Sequence, residues 1–157
     1  MGALAALPRQ EYIRGLTPTQ EDWMATAART MNNVEVVESV YGAFGRGDIP
    51  TVLSAFDPRI EWISAEGAMY PGTFLGPDAV LTNIFARLGG EWDGFRADTS
   101  EYLDAGENIV ALGRYSGTYK ATGRSMNAAF AHVWTLRDGR VVRFRQYVDT
   151  RKMAEVL

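Results

Sequence analysis

The feature that most limits what this chain can become is a set of three strand-like runs in its last third: Asn108 to Tyr119, Met126 to Leu136 and Arg140 to Val148. Each is dense in β-branched and aromatic residues, and Arg137-Asp138-Gly139 supplies the Asp-Gly turn of a hairpin between the second and third. The pattern predicts an antiparallel meander with one face to bury.

Successive side chains on a strand point to opposite faces. Phe130, His132, Trp134 and Leu136 fall on one face of the second run, and Val142, Phe144, Gln146 and Val148 on one face of the third. His132, the only histidine, and Gln146 therefore interrupt apolar faces. A buried polar group left unbonded costs roughly 1–3 kcal/mol. The two either bond within the core or face a ligand.

Upstream, Thr17-Pro18-Thr19-Gln20 has the N-cap, first-turn proline and capping-box residue of a helix running to about Met31. A second helix starts at Asn32 or Asn33, with Val36, Val37, Val40, Tyr41 and Phe44 at helical spacing. Asp48 caps a short third one that buries Val52, Leu53 and Phe56. Ile60 to Ser64 reads as a strand and Ala65 to Gly76 as a loop. From Pro77, Val80, Leu81, Ile84, Phe85 and Leu88 mark a helix closed by Gly89-Gly90. Phe95 to Leu103 is a further strand, and a helical turn follows Thr150. Residues 1–32 read as an arm with an extra helix, and 33–157 as the folded domain. The order predicts an α+β fold, a strongly curved antiparallel sheet packed on three or four helices around an internal pocket.

Composition narrows the function. At 157 residues and 46% hydrophobic content the chain supports one core. A net charge of −3 with mixed signs argues against a nucleic-acid surface, and no apolar run reaches membrane-spanning length. The absence of cysteine excludes disulfides, thiolate nucleophiles and cysteine zinc sites. With a single histidine and no ligand spacing, no metal is expected. Met1 to Leu7 lacks a basic leader, so a cytoplasmic location is expected.

Four segments, Val37 to Phe56, Ile60-Glu61-Trp62, Gly76 to Val80 and Phe130 to Thr150, resemble the nuclear transport factor 2 superfamily. Its members include ketosteroid isomerases, limonene-type epoxide hydrolases and SnoaL-like polyketide cyclases. The resemblance spans about Asn33 to the C-terminus and implies a cone-shaped, cystatin-like α+β roll with a mostly apolar cavity. It also implies a homodimer, through the outer sheet face that carries Arg143, Arg145 and Tyr147. The superfamily hosts enzymes and non-catalytic binders alike, so the site has to decide.

The catalytic patterns of these relatives are incomplete here. The isomerase base position falls on Ser64, its oxyanion tyrosine near Val40 with Tyr41 one residue off, and its protonated aspartate on His132. The epoxide hydrolase relay maps to Ser116, Arg114 and Gln146, keeping only the arginine. A cyclase-like histidine matches His132, but the partner aspartate is Gln146.

The set expected to converge on the pocket is Trp62, Ser64, Glu66, Tyr70, Arg114, His132, Trp134, Phe144 and Gln146. Glu66, two residues past Ser64, is the candidate base, with His132 and Arg114 stabilising negative charge. Trp62, Ser64, Tyr70, Trp134, Phe144 and Gln146 would hold the substrate. This points to a cofactor-independent isomerase, cyclase or lyase acting on a small hydrophobic oxygenated molecule. The alternatives are a non-catalytic ligand-binding or dimerisation module and an epoxide hydrolase-like hydrolase.

Overall fold

The structure, a computed structural model, describes residues 31–157. The arm and extra helix expected before Met31 lie outside the described residues.

Helix α1, Asn33–Gly45, opens on a reciprocal capping box in which Asn32 accepts from the Glu35 N–H and Glu35 accepts from the Asn32 N–H. It buries Val36, Val37, Val40 and Ala43. Asp48 caps the short α2, Ile49–Ser54, through the Thr51 N–H and hydroxyl. Strand β1, Phe56–Ser64, follows, then β2, Gly72–Leu75. Next come α3, Pro77–Val80, a π-helical turn over Leu81–Phe85, and α4, Ala86–Glu91. The long strands β3 (Trp92–Ala105), β4 (Asn108–Tyr119), β5 (Arg124–Arg137) and β6 (Arg140–Val148) lead to α5, Thr150–Ala154.

The six strands form one sheet in the order β2-β1-β6-β5-β4-β3. The meander is as expected, but the sheet is mixed rather than antiparallel throughout, because β1 runs parallel to β6. Val141 N–H to the Ala55 carbonyl (2.9 Å) anchors this join. Strand periodicity assigns faces but not partners, which is why the sequence leaves the orientation of β1 open. Strand β2 lies within the expected loop; at four mostly exposed residues it is too short to carry a pattern.

Bulges interrupt β1–β6, β3–β4 and β5–β6. Those in β3–β4 and β5–β6 add a residue to one strand, which increases local bending and twist. The bulge between Thr135 and Leu136 changes the inward set of β6, so Val141, rather than the expected Val142, is fully buried beside Phe144. Two apolar clusters fill the space between sheet and helices, and Tyr41, Met69 and Leu88 touch both.

Candidate active site

The site begins with the parity of β5. Phe130, His132 and Trp134 point inward, 4%, 3% and 2% exposed. Across from Phe130 the chain has Gly113, where a Cβ would lie 2.6 Å from Phe130 Cζ and would collide with the Asp98 carbonyl. The missing side chain lets the Phe130 ring lie flat, stacked on His132 with centroids 4.0 Å apart and planes 10° apart. Phe144 closes on the imidazole edgewise at 4.8 Å, and Trp62 stacks on Phe144 at 3.7 Å. Packing on both sides fixes the imidazole ring.

Both ring nitrogens meet phenols. Tyr41, on α1, is 2.6 Å from Nδ1, and Tyr115, on β4, is 2.6 Å from Nε2. Each phenol oxygen also accepts from a fixed donor, Trp134 Nε1 onto Tyr41 (3.0 Å) and Gln146 Nε2 onto Tyr115 (3.0 Å). The Gln146 amide is oriented from its other end, where Oε1 accepts the Ala65 N–H at 3.2 Å. His132 and Gln146 are cross-strand partners, yet they communicate through Tyr115 rather than by direct contact.

Electrostatically the cluster is neutral. Burial pushes the His132 pKa down to about 3, because the cation would be desolvated. Burial likewise raises Tyr115, against a smaller opposing effect from the Gln146 hydrogen bond. Tyr41 is half-buried as a whole, but its hydroxyl lies deep, and burial pushes it well above the ordinary phenol range.

The cluster faces a cavity walled by α1, the π-turn and the inner sheet face, with Phe44, Ile84, Phe85, Leu88, Phe95 and Met153 among its lining. Among the described residues no charged side chain lines it; the polar groups come from Ser64, the tyrosines, the tryptophans, His132 and Gln146. The Ser64 hydroxyl has no hydrogen-bond partner among the described residues, although the residue is only 6% exposed. The free volume is about 70 Å³. Benzene fits an apolar cavity of roughly 150 Å³, so a ring-sized ligand requires the wall to yield. Met69 and Met153, unbranched and readily repacked, are suited to do so.

Of the residues singled out by sequence, Trp62, Ser64, Tyr70, His132, Trp134, Phe144 and Gln146 line the cavity. Glu66 and Arg114 do not. Strand β1 ends at Ser64 and the chain turns at Glu66, so the alternation that would have aimed its carboxylate inward stops first, and the residue is exposed. Arg114 has the opposite parity to the inward residues Ile109, Ala111 and Tyr115; exposed, it hydrogen-bonds Asn127. Tyr115 was missed, although the same alternation along β4 identifies it. Tyr41 is one residue off the family position near Val40, but the apolar stripe of α1 is wide enough to bring both to the cavity.

Tyr70 sits at one end of the cavity in a separate cluster. Its hydroxyl donates to Glu91 (2.6 Å) and accepts from Trp92 Nε1 (3.2 Å), while Arg87 lies 4.0 Å over its ring and 2.9 Å from Glu91. This ties the loop after β1 to α4 and β3. Among the described residues no group of three His, Asp or Glu side chains has metal-site geometry, and no helix is long and apolar enough to cross a membrane.

A helix-backed mixed sheet around an apolar cavity with a buried polar cluster defines a one-domain α+β pocket fold. Residues 37–144 match the family of SnoaL-like domains, and the chain belongs to that family. It is similar to a nuclear transport factor 2-like protein from Burkholderia thailandensis, with 36% identity over 81% of this chain and 98% of that one, at a TM-score of 0.78. A nuclear transport factor 2-like protein of unknown function from Burkholderia pseudomallei shares 33% identity over 81% and 98% of the two chains, at 0.74. TerC, co-crystallised with polyporic acid, shares 29% over 79% and 96%, at 0.72. No curated protein matches the chain by sequence.

Proposed function

We propose that the chain is a cofactor-independent enzyme of the isomerase or cyclase type, acting on a small, uncharged, hydrophobic molecule that carries an acceptor oxygen. The observation that carries this reading is the neutral Tyr41–His132–Tyr115 cluster facing a cavity with no charged side chain. Such a wall disfavours ionic ligands, which would lose hydration without a partner. Phenol O–H groups fixed in a water-poor site are effective donors to a carbonyl that gains negative charge. The similar TerC was co-crystallised with polyporic acid, which supports an organic small molecule as the class of ligand. On this reading Glu66 is not the base, and Arg114 plays no part in the site.

A non-catalytic binding module is the second reading, favoured by the exposure of Glu66, which leaves the cavity without a carboxylate among the described residues. We further propose a homodimer joined through the outer sheet face. There the exposed side chains of Tyr147 and Arg143 present contacts a second copy can complete.

The test is a thermal-shift and turnover screen of wild type and His132→Gln against small enones, lactones, 1,3-diketones and epoxides. A ligand at about a hundred times its dissociation constant stabilises the fold by roughly 2.7 kcal/mol. Turnover in wild type and none in the variant supports the enzyme. Binding without turnover in either supports the binding module, and no binding by any class refutes both readings.

A further inference from the structure

We infer that Tyr41, His132 and Tyr115 form a charge-neutral proton relay that interconverts the keto and enol forms of a ligand bridging the two phenols. This rests on the reading of the cavity as a substrate site.

The argument is a count of protons. In the neutral cluster the two phenols and the imidazole carry one exchangeable proton each. Two hydrogen bonds join them, Tyr41 to Nδ1 and Tyr115 to Nε2, and each uses one proton. One proton is left over, on a phenol that accepts from the imidazole. Among the described residues it is paired with no acceptor: Trp134 Nε1 and Gln146 Nε2 are donors, and Gln146 Oε1 already accepts the Ala65 N–H. Both phenols line the cavity, so the spare O–H is free to meet a ligand there.

Which phenol carries the spare proton depends on the tautomer. With the proton on Nδ1, Tyr115 donates to Nε2 and Tyr41 is the outward donor. With the proton on Nε2, Tyr41 donates to Nδ1 and Tyr115 is the outward donor. Exchange between the two arrangements takes a proton in at one phenol and releases one at the other, so the cluster itself stays neutral.

A ligand touching both phenols completes the circuit. Starting from the Nδ1–H tautomer, an enol O–H breaks as its proton passes to the Tyr115 oxygen, and Tyr115 passes its own to Nε2. Nδ1 gives its proton to the Tyr41 oxygen, and Tyr41 gives its own to the enol carbon. The C=C π pair becomes the new C–H bond, and the O–H pair becomes the C=O π bond. Atoms and charge balance, and the cluster ends in the Nε2–H tautomer. Turnover in the reverse direction, or proton exchange with water, resets it. A device of this kind has no need of the carboxylate that the cavity lacks.

The experiment uses the full chain labelled with ¹⁵N-histidine, whose spectrum reports one residue because the sequence has one histidine. Tyr115→Phe should fix the Nδ1–H tautomer, since Nε2–H would then be a buried donor with no acceptor. Tyr41→Phe should fix Nε2–H for the mirror reason. The probe is pentane-2,4-dione, small and uncharged, with ketonisation followed by the loss of enol absorbance and binding by thermal shift. Wild type should accelerate ketonisation, and each variant should lose at least tenfold in rate at saturating probe, where weaker binding from the missing hydroxyl no longer enters. A variant that keeps the wild-type rate, or tautomers that do not part in the expected directions, overturns the relay and leaves the cavity as a substrate site. Failure of wild type to bind the probe overturns the relay together with the reading of the cavity on which it rests.

Discussion

Tyr41 and Tyr115 hold opposite nitrogens of one imidazole, each at 2.6 Å, although one belongs to helix α1 and the other to strand β4. His132 thus joins a helix to the sheet by polar contacts inside an aromatic core. Its protonation state bears on stability as well as on chemistry.

The first consequence is a pH dependence. The folded-state pKa of His132 is about 3, against an ordinary 6.5, so between these values the unfolded chain binds more protons. The stability contributed by the neutral form is complete above pH 6.5 and falls as the pH drops toward 3. The unfolding free energy of wild type minus that of His132→Gln should therefore shrink between pH 7 and pH 5 in urea titrations. A ¹⁵N imidazole spectrum at pH 5 should still report a neutral ring.

Gly113→Ala should destabilise the fold by about 3 kcal/mol, the upper range for overpacking. The new methyl would be wedged between Phe130 Cζ and the Asp98 carbonyl, and the backbone carbonyl cannot rotate aside as a flexible side chain would. Urea midpoints at unchanged slope measure it.

Phe144→Ala should cost about 3–5 kcal/mol, the usual range for emptying a buried aromatic position. Phe144 is 1% exposed and packs on Trp62, Trp134 and His132. Denaturant unfolding tests the magnitude, and loss of the Trp62 stacking should also alter the near-ultraviolet circular dichroism.

Tyr70→Phe should raise the pKa of Glu91. The Tyr70 hydroxyl is the largest influence holding that carboxylate below its ordinary value, ahead of the Arg87 contributions that remain in the variant. The change also leaves the buried Trp92 Nε1 without its acceptor, at a cost of about 1–3 kcal/mol. Carboxyl ¹³C titration and thermal unfolding read the two effects separately.

What the sequence revealed, and what it hid, divides by the range of the interactions. The Asn32 cap, the Asp48 cap and the apolar stripe of α1 are local and legible. So is the inward face of β5, which carries Phe130, His132 and Trp134. The direction of β1 is hidden, because it depends on pairing with β6 across more than half of the domain. Val141 replaces Val142 in the core because a bulge is a property of two strands together. Glu66 was misplaced by extending a strand past its end, and Arg114 by following a family position instead of the alternation along β4, which was there to read. Tyr115 lies on the inward side of that alternation, and its contacts with His132 and Gln146 depend on β4 and β6 flanking β5, which local sequence does not set.

The π-turn at Leu81–Phe85 makes residue count itself part of the cavity wall. A π-helical turn holds one residue more than an α-turn, so the segments on either side of it are out of phase with a continuous α-helix. Deleting one residue within the turn would restore a regular helix and spare every chemical group that lines the cavity except the one removed. It would also rotate Leu88 by about 100° relative to Val80. The interior of this protein is therefore sensitive to the length of this segment as well as to its buried side chains, Ile84 and Phe85.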